Sequence, residues 1–229
     1  MHILAVGAHA ADMEFTCGAV ILAYTRAGHS ATFLHCTPGE KGHPRLDPEP
    51  YAQQKLTEAK IVAAGLGAKA RFLPYKDAEL LAAEEVALAI ADVIRQEKPD
   101  ILITHPRRSM HDDHANTHTN TMRAIFLAEL DGIRRPWPAH GVNRIYFAEN
   151  WEDMEDFEPD TYVDVSDVFE DWLHITSQYE LFRGGISSFR YKDYYQALGV
   201  LRGCLGRADR AVALMRPPGW GRQRGKLPL

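Results

Sequence analysis

Two short stretches of this sequence hold residue types that do chemistry at close spacing. Ala8-His9-Ala10-Ala11-Asp12-Met13-Glu14 offers an imidazole and a carboxylate three residues apart, and Ser109-Met110-His111-Asp112-Asp113-His114 offers two of each. His9, Asp12 and His114 together make two imidazoles and one carboxylate. That set suits a divalent metal with open positions, as in hydrolytic zinc sites, where a bound water has its pKa lowered to about 7. His111 and Asp113 are then left over, and an imidazole oriented by an acid suits a general acid or a stabiliser of an oxyanion. A plainer alternative stands beside this one. A histidine closing a strand is commonly an ordinary polar residue, and the second stretch could be a solvated turn with a helix cap at Asp113.

The choice depends on whether the fold brings the two stretches together. His2-Ile3-Leu4-Ala5-Val6 is a short apolar run closed by Gly7 and reads as a strand buried on both faces, followed by a helical period from Met13 to an end cap at Gly28. Further strands are expected at 31–36, 71–73 and 101–104, separated by helices at about 50–65 and 83–96. Strand and helix alternating four times is the pattern of a Rossmann-like, doubly wound α/β fold, with a mostly parallel sheet flanked by helices. In the strand order 3-2-1-4-5, assumed from the fold class, strands 1 and 4 are neighbours at the switch point, where ligands bind beyond the carboxyl ends. The second half is less regular, with strands expected at 144–148, 162–165 and 211–214, one helix at 168–183, a break at Gly184-Gly185 and an aperiodic tail from Pro217. No boundary divides the chain, so residues 1–229 are read as one domain.

Composition narrows the partners. Lys+Arg at 26 against Asp+Glu at 31 gives a formal charge of −5, which provides no basic field for nucleic acid or an anionic membrane. No stretch approaches the ~20 apolar residues of a spanning helix, and no leader is visible before Ile3. Cys17, Cys36 and Cys204 are odd in number and unpatterned, which fits a reducing compartment, and a cytoplasmic location is expected. A nucleotide-binding module is disfavoured, because Gly7-Ala8-His9-Ala10-Ala11-Asp12 is not the Gly-x-Gly-x-x-Gly loop that admits a pyrophosphate.

The two stretches resemble the motifs of the PIG-L/LmbE-type zinc-dependent N-deacetylases, Ala-His-Pro-Asp-Asp followed by a Glu, and His-Pro-Asp-His. Gly39-Glu40, Glu58-Ala59, Leu66-Gly67, Asp77 followed by Leu80, Lys98-Pro99-Asp100 and Ser177-Gln178 are similar too, so that the likeness covers about residues 2–180. The resemblance implies Zn²⁺, or another divalent transition metal, held by His9, Asp12 and His114. It also implies His111 as the acid that assists breakdown of the tetrahedral intermediate, Asp113 as its orienting partner, and Lys55, Asp77 and Glu40 as substrate contacts. The substrate class implied is an N-acylated amino sugar or related small amide.

One position departs from the family pattern. The first Asp of Pro-Asp-Asp is the family's general base, and Ala11 stands there, preceded by Ala10 in place of Pro. A methyl group takes no proton, and losing a positioned base costs ~10²–10⁴ in rate. An engineered change would have touched the Asp alone, so the neighbouring Ala10 argues for a native variant. Either another carboxylate serves, with Glu14, Glu40 and Asp112 nearest in sequence, or the chain binds metal and a sugar-like ligand without deacetylase turnover, or it performs a different metal-assisted reaction. Glu14 has a plain reading as a first-turn acid favoured by the helix dipole. The aromatic and basic run Ser188 to Tyr195 would wall a pocket or form a homo-oligomer contact.

Overall fold

The computed structural model describes residues 1–219. In chain order the elements are β1 (His2–His9), α1 (Asp12–Thr16), α2 (Gly18–Arg26), β2 (Ser30–Thr37), α3 (Pro48–Gly65), β3 (Lys69–Phe72), α4 (Glu84–Glu97), β4 (Ile101–Thr104) and α5 (Asp112–Glu129). There follow β5 (Arg144–Ala148), β6 (Thr161–Asp164), a 3-10 turn at Ser166–Val168, α6 (Phe169–Thr176), α7 (Glu180–Arg183), α8 (Tyr191–Gly206) and β7 (Ala211–Met215). The strands form one sheet in the order β3-β2-β1-β4-β5-β7-β6. β1 to β5 run parallel, whereas β7 pairs antiparallel with both β5 and β6.

The period of two along each central strand divides the core. Ile3, Ala5, Phe33, Ile101 and Ile103 face a cluster shared with α1, α2, α3 and α6, while Leu4, Val6, Leu34 and Leu102 face a second cluster under α4 and α5. Both faces of β1 are thus covered, as its continuous apolar run requires. β1 pairs with β4 at Val6↔Thr104, so the segments leaving these two strands start side by side.

Three local expectations are corrected. The helix expected from Met13 to Gly28 breaks at Cys17 (φ −128°), where the Trp172 indole N–H donates to the Glu14 carbonyl at 2.8 Å. The helix expected over 168–183 is interrupted between α6 and α7. α5 and α8 replace what reads as irregular chain. Asn116-Thr117-His118-Thr119-Asn120-Thr121 is poor helix-forming sequence, and packing against α4 overrides it. Arg95 of α4 also fixes the end of α5, since its buried guanidinium donates to the carbonyls of Leu127 and Ala128, which a helix end leaves without intrahelical partners, and to those of Leu130 and Ile133 just beyond it. The tail beyond Gly219 lies outside the described residues.

Candidate metal centre

His9 is the last residue of β1. The chain then turns sharply through Ala11 (φ 101°, ψ −28°), and Asp12, at the start of α1, turns back so that its Oδ2 accepts the His9 backbone N–H at 2.7 Å. His114 stands in the first turn of α5, just beyond β4. Three side-chain atoms converge: His9 Nδ1 lies 3.2 Å from His114 Nε2 and 3.3 Å from Asp12 Oδ2, and the last two are 3.5 Å apart. A tetrahedral ion with bonds of about 2.0–2.1 Å needs ligand atoms roughly 3.3 Å apart. The residues present therefore fit a metal of the zinc type. Gly39 completes the wall after β2. Its φ is +77° and a Cβ there would fall 3.0 Å from His9 Cβ, so only glycine lets this loop lie against the imidazole.

Each histidine sets its other ring nitrogen against a carboxylate, which would leave the converging atom as the donor to a bound metal. His9 Nε2 faces Asp77 Oδ1 at 3.1 Å and Asp113 Oδ2 at 3.2 Å, which would keep a proton on that side when Nδ1 gives up its own to a metal. His114 Nδ1 donates to Asp153 Oδ1 at 2.9 Å, leaving Nε2 free. The other oxygen of Asp153 accepts from His105 Nδ1, also at 2.9 Å, and His105 Nε2 receives the Ala8 N–H at 3.1 Å. Asp153 is absent from the sequence reading, and His105 is given no role there. The only signal for Asp153 was its place after β5, the strand beside β4 at the switch point.

A cleft of about 200 Å³ opens above these atoms, lined by His9, Asp12, Lys55, Asp77, His111 and Glu152 among others. His111 packs edge-on to His9 and stacks on His114. Asp113, expected beside His111, instead directs its carboxylate to His9 and to the Ala78 N–H at 2.7 Å, because the α5 turn points it back toward the β3–α4 loop. His111 Nδ1 accepts the Asp113 backbone N–H at 3.3 Å. Glu40 lies behind the cleft, its Oε1 accepting the Asp77 N–H at 3.1 Å. Glu14 is fully buried and bonded by the Tyr179 hydroxyl at 2.9 Å, away from the cleft, and Asp112 points to solvent. Tyr191, from the run expected to wall a pocket, lines the cleft, as does Ser187 just before that run.

The family model described as PIG-L, GlcNAc-PI de-N-acetylase, matches residues 4–125, just over half of the chain and all three converging side chains. The chain belongs to the PIG-L family. A similar curated protein is the 1D-myo-inositol 2-acetamido-2-deoxy-alpha-D-glucopyranoside deacetylase of Kineococcus radiotolerans, 31% identical over 184 residues, covering 62% of this chain and 51% of that one. The chain spans about half the length of the first such relatives it matches. Among solved structures, the 4-carboxy-2-hydroxymuconate hydratase of Pseudomonas putida superposes with a TM-score of 0.87 at 20% identity, covering 100% of this chain and 99% of that one. The N,N'-diacetylchitobiose deacetylase of Pyrococcus horikoshii superposes at 0.82 and 19% identity, covering 95% and 84%. At these identities the superpositions establish the fold.

In this PIG-L chain the site's electrostatics follow from burial and close pairing. Burial alone would lower the His9 pKa, but the carboxylates of Asp12, Asp113 and Asp77 outweigh it and hold it well above the ordinary value. Asp12 is conversely held well below the carboxylate range, burial being outweighed by His114 and His9. Burial pushes His111 down, helped by the neighbouring His9 and His114, and pushes the Lys55 ammonium down as well. Burial, reinforced by Asp12, raises Glu152 to about 7.

Proposed function

We propose that the chain is a zinc-dependent N-deacetylase acting on an N-acylated amino sugar or a related small amide. The observation that carries this reading is the triangle of His9 Nδ1, Asp12 Oδ2 and His114 Nε2, with its tautomers set by carboxylates and its open side toward the cleft. Zinc held there supplies Lewis-acid polarisation and activates water. His111 stands beside the metal ligands and would relay the proton lost by the attacking water to the leaving nitrogen as the C–N bond breaks. Lys55 and Asp77 line the cleft where sugar hydroxyls would lie, and Glu40 holds the Asp77 backbone in place. The relatives named as N-acetylglucosaminyl-type deacetylases support the substrate class. A cytoplasmic site of action fits the free cysteines, and among the described residues no helix is long and apolar enough to cross a membrane.

A second reading, addition of water to an unsaturated carboxylate, is favoured by Lys55. Lys55 is 3% exposed as a residue and lines the cleft wall. A neutral acetamido sugar gives such a cation no counter-charge, and the Pseudomonas putida neighbour is a hydratase. The test is acetate release from N-acetylglucosaminyl-inositol by zinc-loaded protein, run beside hydration of 4-carboxy-2-hydroxymuconate. Acetate release that disappears in His114→Ala supports the first reading. Hydration without acetate release replaces it with the second, and failure of both, with one zinc bound, leaves a metal-binding protein without this turnover.

A further inference from the structure

Water attacking an amide must lose a proton, and at neutral pH a carboxylate beside the nucleophile is the ordinary acceptor. The carboxylates around the cleft are not equally free to do this. Asp12 has its Oδ2 in the metal triangle. Asp77 faces His9 with one oxygen and accepts the Lys41 N–H at 2.8 Å with the other. Asp113 is tied to His9 and to the Ala78 N–H, and Glu40 sits behind Asp77. Glu14 is sealed in the core against Tyr179. Position 11, next to the metal ligand Asp12, contributes only a buried methyl group.

Glu152 differs from all of these. It lines the cleft, its Oε2 lies 3.9 Å from His114 Nε2, and among the described residues no group hydrogen-bonds its carboxylate. Its backbone is nonetheless fixed. The Glu152 N–H donates to Asn150 Oδ1 at 3.3 Å, and its carbonyl accepts the Met110 N–H at 3.1 Å, stitching this turn to the segment that carries His111. The next residue, Asp153, points beneath the site to His105 and His114. One turn after β5 thus sends one acid under the metal ligands and the other into the cleft above them.

We infer that Glu152 is the catalytic carboxylate that takes the proton from the attacking water, an inference that rests on the deacetylase reading above. The water oxygen bonds to the amide carbon as its proton moves to Glu152 Oε2. The C–N bond then breaks and that proton passes to the leaving nitrogen, directly or through His111, so amide and water become carboxylic acid and amine.

The test compares zinc-loaded wild-type chain with Glu152→Gln and Glu152→Ala, using N-acetylglucosaminyl-inositol as the probe, with zinc affinity measured by competition with a chromophoric chelator. The expected result is a fall in kcat of ~10²–10⁴ with KM and zinc affinity unchanged, and partial recovery of Glu152→Ala by added formate. Wild-type kcat in Glu152→Gln would overturn the assignment while leaving the deacetylase reading intact. Loss of zinc affinity in Glu152→Gln would overturn it differently, by making Glu152 a support for the metal. A wild-type chain that binds zinc and releases no acetate would remove the deacetylase reading, and this inference with it.

Discussion

β1 carries a histidine at each end, and the two ends of the sheet use theirs in opposite ways. At the amino end, His2 Nδ1 meets Ser30 Oγ at 2.8 Å, and Glu97 lies 3.6 Å from His2 Nε2. Glu97 also accepts from Arg71 at 2.5 Å and from Thr32 at 3.1 Å. Arg71 and Thr32 satisfy the carboxylate there, burial pushes the His2 pKa down, and the cluster is closed on itself. At the carboxyl end, His9 is also surrounded by acids, but Asp77 and Asp113 face its Nε2, while Nδ1 converges with Asp12 Oδ2 and His114 Nε2. A polar cluster becomes a site when its partners fix orientation and still leave converging atoms free. Histidine content alone does not distinguish the two.

The comparison can be broken first at Asp153. Asp153→Asn removes the acceptor that sets His114, and removing a partner of this kind typically lowers metal affinity by about 10–100-fold. Chelator competition reads this, and unchanged affinity would mean that the His114 tautomer needs no such support. The amino end is expected to respond in stability alone. Glu97→Gln should cost about 1 kcal/mol in urea unfolding with zinc affinity unaltered. Burial raises the Glu97 pKa, but Arg71 and Thr32 outweigh it and hold it below the ordinary value. A carboxyl depressed in the folded state adds stability above its unfolded pKa of about 4.3 and loses it as pH falls through the folded value. The gap in thermal midpoint between wild type and Glu97→Gln should therefore shrink as pH falls from 6 to 3. The smallest effect is expected at Ala11, whose φ of 101° is strained for any residue with a Cβ. Ala11→Gly should stabilise by up to about 1 kcal/mol, the relief being partly offset by glycine's greater unfolded-state entropy.

The legible part of the molecule was the part governed by local pattern. Strands 1 to 4 and the helices between them have unbroken apolar periods, and the observed sheet order follows from the doubly wound class. α5 was invisible because its Thr- and Asn-rich centre is helical only through contact with α4. Within the site, His9, Asp12 and His114 could be named because each sits in a short stretch beside a strand end. Asp153 and Glu152 could not, since nothing local separates them from the other acids of the turn after β5. Glu14 misled for the related reason that a first-turn acid in sequence gives no sign of which side of α1 it faces, and Trp172 and Tyr179, far along the chain, draw it into the core.

The sequence by itself determined the winding of the sheet, the placing of two histidine and aspartate stretches at its switch point, and the resemblance to N-deacetylases. Only the tertiary structure decided which nitrogen of each histidine converges on the site, that Asp113 serves His9, and that among the described residues Glu152 is the cleft acid whose carboxylate accepts no hydrogen bond. Periodicity is a property of neighbours along the chain. Tautomer and hydrogen-bond assignment depend on groups far apart along the chain, 104 residues for His9 and Asp113 and 165 for Glu14 and Tyr179, and these meet only after the sheet has formed.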